Sequence, residues 1–97
     1  MNPADRELIQ HCLIRYLATR GLRFGTPIGL LVTMLRSAGW PQIGADQVLS
    51  ELDYLADPTN ALGKSFVTSV AKLNPSVSRW VLTAAGREYS EERGLDQ

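Results

Sequence analysis

The stretch PIGLLVTMLRSAGWPQIGADQVLSELDYLAD, residues Pro27–Asp57, decides how the chain is read. It predicts two helices, Pro27–Ala38 and Ala45–Asp57, joined by Gly39-Trp40-Pro41-Gln42-Ile43-Gly44. Thr26 stands where a hydroxyl can cap the first helix, and Pro27 suits the opening position, whose N–H has no acceptor within the helix. Ile28, Leu31, Val32 and Leu35 recur at helical spacing and form its buried stripe. In the second helix Val48, Leu49, Leu52, Leu55 and Ala56 fall on one side at about 100° per residue. Gly39 ends one helix, Pro41 prevents its continuation and Gly44 precedes the next. Two short helices, each with one stripe to bury across a tight turn, make a helix-turn-helix.

Upstream, a helix is expected over Asp5–Arg20. Its apolar residues Ile9, Cys12, Leu13, Ile14, Tyr16 and Leu17 cover more of the circumference than a one-sided surface helix needs. A central helix touched by two others explains this width, and is favoured over a helix shared with a second copy in a homodimer. Glu7 and His11 sit one turn apart and can pair locally. Cys12 falls on the apolar side, which marks it as packing rather than a nucleophile. Gly21-Leu22-Arg23-Phe24-Gly25 stops the helix and leaves a short extended piece able to pair with a later hairpin.

Downstream, Pro58-Thr59-Asn60-Ala61-Leu62-Gly63 is a loop by composition. Ser65–Leu73 and Val77–Leu82 are rich in β-formers, with the turn Asn74-Pro75-Ser76 between them, and read as a β-hairpin. Strand phase sends Trp80 and Leu82 toward the helices, and Arg79 and Val81 the other way. Thr83 then caps a last helix, Ala84–Arg93, with Gly94 as its stop. Tyr89, Ala84 and Ala85 are its main apolar residues, so it is expected to pack by its first turns and fray at the end.

The 97 residues suit one domain spanning 1–97, with 44% hydrophobic residues and zero formal net charge. Nucleic-acid-binding domains usually carry an excess of Lys and Arg, so neutrality counts against one. The lone Cys12 cannot form an intrachain disulfide, which makes a reducing, cytoplasmic compartment the expectation. No signal-like segment opens the chain and no apolar run approaches the roughly 20 residues that span a bilayer.

The element order helix, short strand, helix, turn, helix, hairpin, helix is that of a winged helix-turn-helix domain. This is an α+β fold, mainly α: a three-helix core, a two-stranded β-hairpin wing and a short C-terminal helix. Trp80-Val81-Leu82-Thr83-Ala84-Ala85-Gly86-Arg87-Glu88 resembles the "LT-x-x-G" ending of the wing in bacterial regulators of the MarR, PadR and ArsR kinds. Asp46-Gln47-Val48 with Leu52-Asp53-Tyr54-Leu55 looks like their recognition helix. The resemblance covers most of the chain. A looser likeness is to small winged-helix proteins of Mu-like phages and prophages. The resemblance implies a transcriptional regulator that binds duplex DNA, often as a homodimer, with the third helix in the major groove and the wing along the backbone.

Two surfaces bear on that implication. Opposite the apolar stripe of Ala45–Asp57 lie Gln47, Ser50 and Tyr54, and the Gln47 amide suits an adenine edge. Asp46, Asp53 and Asp57 line one flank and Glu51 the other, so this helix carries four acids and no base where such regulators usually carry Lys or Arg. The hairpin region has the opposite balance: residues 58–87 hold Lys64, Lys72, Arg79 and Arg87 and no acid. Lysine and arginine on a small hairpin also serve simply to keep a sheet edge soluble. The expected function is DNA binding through Gln47, Ser50, Tyr54, Lys64, Lys72 and Arg79. The alternative is a protein-interaction module in which Asp46, Glu51, Asp53 and Asp57 meet a basic partner; the acids also suit a merely solvated face. An enzyme is not expected: one His, one Cys, no phosphate loop and no metal-ligand spacing offer nothing from which to build a catalytic, metal or cofactor site.

Overall fold

The computed structural model describes residues 2–23, 25–60, 63–70 and 79–95. Over them run α1 (Pro3–Thr19), β1 (Thr26–Pro27), α2 (Ile28–Ala38), α3 (Ala45–Ala56), β2 (Val67–Val70), β3 (Arg79–Leu82) and α4 (Ala84–Glu92). The architecture is α+β and mainly helical, with a three-stranded antiparallel sheet in the order β1-β3-β2. No helix among the described residues is long and apolar enough to cross a membrane.

Local chemistry sets the helix ends. α1 begins earlier than its apolar pattern implies, because the Asn2 side chain accepts the Asp5 N–H at 2.8 Å and Pro3 fills the first turn. Thr26 does not cap α2. Its hydroxyl oxygen accepts the Leu22 N–H at 3.0 Å, and its backbone is drawn into the sheet opposite Trp80. Pro27, paired with Arg79, is the N-cap of α2 and offers no side-chain hydrogen bond. α3 stops at Ala56 because Asp57 precedes Pro58, which disfavours helical backbone there. Asp57 instead turns extended, and its carboxylate accepts the Thr59 N–H and hydroxyl.

The hairpin strands are shorter than the β-rich runs: Val67 pairs with Leu82 and Val70 with Arg79. Residues 71–78, with Lys72 and the Asn74-Pro75-Ser76 turn, lie outside the described residues. The short extended piece expected to pair with the hairpin is present, but as Thr26–Pro27 rather than within Gly21–Gly25; it adds to the free edge of β3 and makes the two-stranded wing three-stranded. Close approach requires glycine here: Gly25 has φ 100°, and a Cβ on it would lie 2.7 Å from the Arg79 Cβ.

The core draws Ile9, Leu13, Ile14 and Leu17 from α1, Leu31, Val32 and Leu35 from α2, and Val48, Leu52 and Leu55 from α3. Phe66, Val67 and Trp80 close it from the sheet side. α1 meets α2, α3, α4 and β3, so its wide stripe is that of a central helix, while Cys12 and Tyr16 at the stripe's margin are half-buried. Thr83 caps α4 by accepting the Gly86 N–H at 3.0 Å, and donates its own hydroxyl to the Ser65 carbonyl at 2.6 Å. The far end of α4 is held as well: Tyr89 stacks on Phe66 with ring centroids 4.7 Å apart, Ser90 is buried, and its carbonyl accepts the Leu95 N–H at 2.7 Å.

Two substitutions test this packing. Alanine for glycine in an exposed helix interior usually gains close to 1 kcal/mol. At Gly86 the sign should reverse, because a Cβ would collide with the Phe66 carbonyl oxygen. Denaturant unfolding of Gly86→Ala should show a loss of at least about 2 kcal/mol; a stabilised variant would contradict the packing of α4 on the β2 side. Trp80 is 5% exposed, and its indole N–H has no hydrogen-bond partner among the described residues. Trp80→Ala should therefore cost roughly 3–5 kcal/mol. Trp80→Phe should cost clearly less, because it deletes the orphaned donor along with part of the ring.

Candidate functional site

The rotation of α3 about its axis decides which side chains a partner meets. Val48, Leu52 and Leu55 are fully buried, and Glu51 is buried with them at 0% exposure. Its carboxylate accepts from Arg6 Nε at 2.8 Å, Gln10 Nε2 at 2.7 Å and Gln47 Nε2 at 3.1 Å. A carboxylate out of contact with water is costly unless paired and hydrogen-bonded, and these three donors supply that. Glu51 is thus not the exposed flank acid that an amphipathic reading expects. Gln47 spends one N–H of its amide on Glu51 and is half-buried, so it does not stand on the outward face as the amphipathic reading expects. Tyr54 turns toward α1 and α4, where it shares a cleft of about 280 Å³ with Arg6, Gln10, His11 and Tyr89. His11 reaches across that cleft to Tyr89, its Nε2 3.1 Å from the phenol oxygen, rather than pairing along the helix with Glu7.

The outward strip of α3 is therefore Asp46, Ser50 and Asp53, continued by the C-cap residue Asp57, all exposed. At about 100° per residue these four fall within a sector of about 60°. Asp46 lies in the first turn of α3, where the helix dipole favours a negative charge. The Thr59 hydroxyl, followed by the Thr59 backbone N–H, holds the Asp57 carboxyl below the ordinary aspartate range, so it is ionised at neutral pH. Beside the strip's N-terminal end, Trp40, Pro41, Gln42, Ile43 and Gln47 rim an open, largely apolar hollow. Arg36 braces this turn by donating from Nε to the Ile43 carbonyl at 2.9 Å.

The basic candidates are not gathered into one surface. Lys64 is exposed and borders a hollow shared with Glu88, Glu92 and Arg93 of the α4 end, a mixed-charge surface rather than a basic one. Arg79 is exposed on β3, and its Nη1 leans to the Gly25 carbonyl at 3.4 Å. Of the six residues expected to touch DNA, Gln47 and Tyr54 are half-buried at the margins of α3, Lys72 is outside the described residues, and Ser50 alone stands on the outer strip of α3.

Cys12 lies away from this region, between α1 and α2. Burial raises its thiol pKa, with Arg15 acting in the opposite sense. A thiol so placed has little thiolate at neutral pH and behaves as a packing residue. No protein-family model, curated protein or solved structure matches this chain.

The role of Glu51 was latent in the spacing. It lies three residues after Val48 and four before Leu55, on the apolar stripe itself. The partners were not legible: Arg6 and Gln10 are 45 and 41 residues away in sequence. The arrangement predicts an asymmetry between variants. Arg6→Met leaves the carboxylate buried with only neutral donors, and should cost about 2–3 kcal/mol in thermal or denaturant unfolding; this is less than a fully buried pair because the Arg6 side chain is 44% exposed. Arg6→Met combined with Glu51→Met should recover part of that loss, giving a clearly non-additive double-mutant cycle. Additive losses would mean that the pair does not hold α1 to α3.

Proposed function

We propose that this chain is a winged-helix domain acting as a protein-docking module, with the outward strip of α3 receiving a basic segment of a partner protein. Support for the winged-helix reading comes from the element order and from the β1-β3-β2 sheet, in which a short strand before α2 joins the hairpin. The observation that carries the docking reading is the rotation of α3 imposed by Glu51. It draws the Gln47 amide and the Tyr54 phenol partly out of solvent and leaves Asp46, Asp53 and Asp57 exposed. A helix with this strip would bring carboxylates against phosphates in a major groove, with no base of its own to offset them. A Lys- or Arg-rich protein segment meets the same strip with complementary charge, which speeds encounter and fixes register. The hollow beside Trp40 adds an apolar anchor point next to the charges, the combination typical of interfaces with a desolvated centre and a charged rim.

Duplex DNA along the hairpin is the second reading, favoured by the absence of acids from residues 58–87. One experiment separates the two: binding of a lysine-rich helical peptide and of random-sequence duplex, at several salt concentrations, to the parent and to Asp53→Asn/Asp57→Asn. The docking reading expects the parent to bind the peptide. The double variant should then bind it roughly fivefold more weakly, through slower and less salt-sensitive association. Duplex binding by the parent that tightens in the double variant would transfer the function to DNA. Lack of peptide binding at low salt would remove the docking reading.

A further inference from the structure

The cleft between α1, α3 and α4 is a concave site apart from the outward strip of α3. Its volume of about 280 Å³ falls just below the ~300–1,000 Å³ of pockets for drug-sized ligands, so it suits a smaller molecule. Ile14 and Leu55, both almost fully buried, give it an apolar floor, and Tyr54 and Tyr89 stand on the wall facing α1. Tyr89 is fixed there by three contacts. The Phe66 ring stacks on it with centroids 4.7 Å apart, His11 Nε2 lies 3.1 Å from its hydroxyl, and the Arg93 guanidinium carbon lies 5.1 Å from its ring centroid. The α1 wall is charged at its margins. Arg6 and Glu7 both line the cleft, about 100° apart around the helix, with Gln10 and Ile14 between them. Arg6 gives its Nε to Glu51 at 2.8 Å and its side chain is 44% exposed, which leaves the two Nη groups to a further acceptor. Glu7 is exposed and has no ion-pair partner among the described residues.

We infer that this cleft binds a free α-amino acid with an apolar side chain. The ligand's carboxylate sits on the Arg6 Nη groups, its ammonium on Glu7, and its side chain between Tyr54 and Tyr89 over Ile14 and Leu55. The lining calls for both charges of the ligand. Glu51 lies behind Arg6, so this margin holds two carboxylates against one guanidinium, and a simple monoanion meets net repulsion. A simple amine satisfies Glu7 and leaves the Arg6 fork unanswered. A zwitterion answers both and adds no net charge. Spacing agrees with this choice: the two charges of an α-amino acid sit on one carbon, and Arg6 and Glu7 are consecutive residues with Cα atoms about 3.8 Å apart. A guanidinium fork takes a carboxylate through two parallel N–H···O bonds, which strengthens the contact and fixes the ligand's direction. The walls are already held by the Glu51 and Tyr89 contacts, so little ordering is left for binding to impose.

The test is a heteronuclear NMR titration of the full chain with L-phenylalanine and three analogues. Phenethylamine lacks the carboxylate, phenylpropionate lacks the ammonium, and L-alanine lacks the ring. L-phenylalanine should shift the amide resonances of Glu7, Gln10, His11, Tyr54 and Tyr89, with a Kd of about 1 mM or tighter. Each analogue should bind at least about fivefold more weakly, having lost one of the three contacts. Glu7→Gln, at an exposed position, should weaken L-phenylalanine about fivefold and leave phenylpropionate no weaker, with circular dichroism to verify that helix content is kept. No shift at these residues up to about 20 mM, an analogue that binds as tightly as L-phenylalanine, or a Glu7→Gln variant that binds it as the parent does would each overturn the inference.

Discussion

The Glu51 carboxylate is the constraint from which the arrangement of the three-helix core follows. A full charge at 0% exposure is tolerated only where donors surround it, and the donors come from two helices: Arg6 and Gln10 of α1, Gln47 of α3. Satisfying them sets the distance between α1 and α3 and the rotation of α3 together. Apolar packing alone would leave that rotation loose, since Leu49 and Ala56 could share the core with Val48, Leu52 and Leu55 at little cost. In the structure they are half-buried and the stripe is centred nearer Glu51. Loss of the pair's geometry would therefore alter which residues face outward as well as the stability of the fold.

The sheet side is held by backbone rather than by charge. The Phe66 N–H reaches the Leu55 carbonyl at 2.8 Å, and the Phe66 carbonyl accepts the Thr83 N–H at 3.0 Å. These bonds tie the end of α3 to the start of α4 through a single residue. Gly86 permits this approach because the helix has no side chain at the point where the Phe66 carbonyl presses against it. The Phe66 ring then stacks on Tyr89, whose hydroxyl meets His11 of α1. In this way a helix with few apolar residues is anchored along most of its length.

Charge is segregated by the fold more sharply than by the chain. Zero net charge conceals an acidic strip on α3 and bases distributed over α1, α2, the hairpin and α4. Some of those bases have local duties: Arg6 neutralises Glu51 and Arg36 braces the turn. The strip Asp46, Ser50, Asp53, Asp57 has no comparable neutralising base within α3 itself, and this makes it the surface most able to select a partner by charge.

The sequence by itself determined the elements that depend on near neighbours. The two helices around Gly39–Gly44, the strand phase that buries Trp80, the Thr83 cap and the central role of α1 all follow from spacing and turn chemistry within a few residues. Tertiary structure decided what depends on distant ones. Thr26 left its expected capping position because β3, more than fifty residues later, offered its backbone a partner. The outward face of α3 lies roughly 60° from where its periodicity alone puts it, since helical periodicity locates a stripe only as well as its polar members are assigned. Counting Glu51 as solvated shifts the centre of that stripe and places Gln47 and Tyr54 fully outside, whereas both are half-buried, Gln47 bonded to Glu51 and Tyr54 turned to the α1 cleft. Arg6 and Gln10 reverse the assignment of Glu51 by lending it hydrogen bonds in space. The physical reason is that the cost of burying a charge is set by the donors the fold brings to it, and local sequence does not contain them.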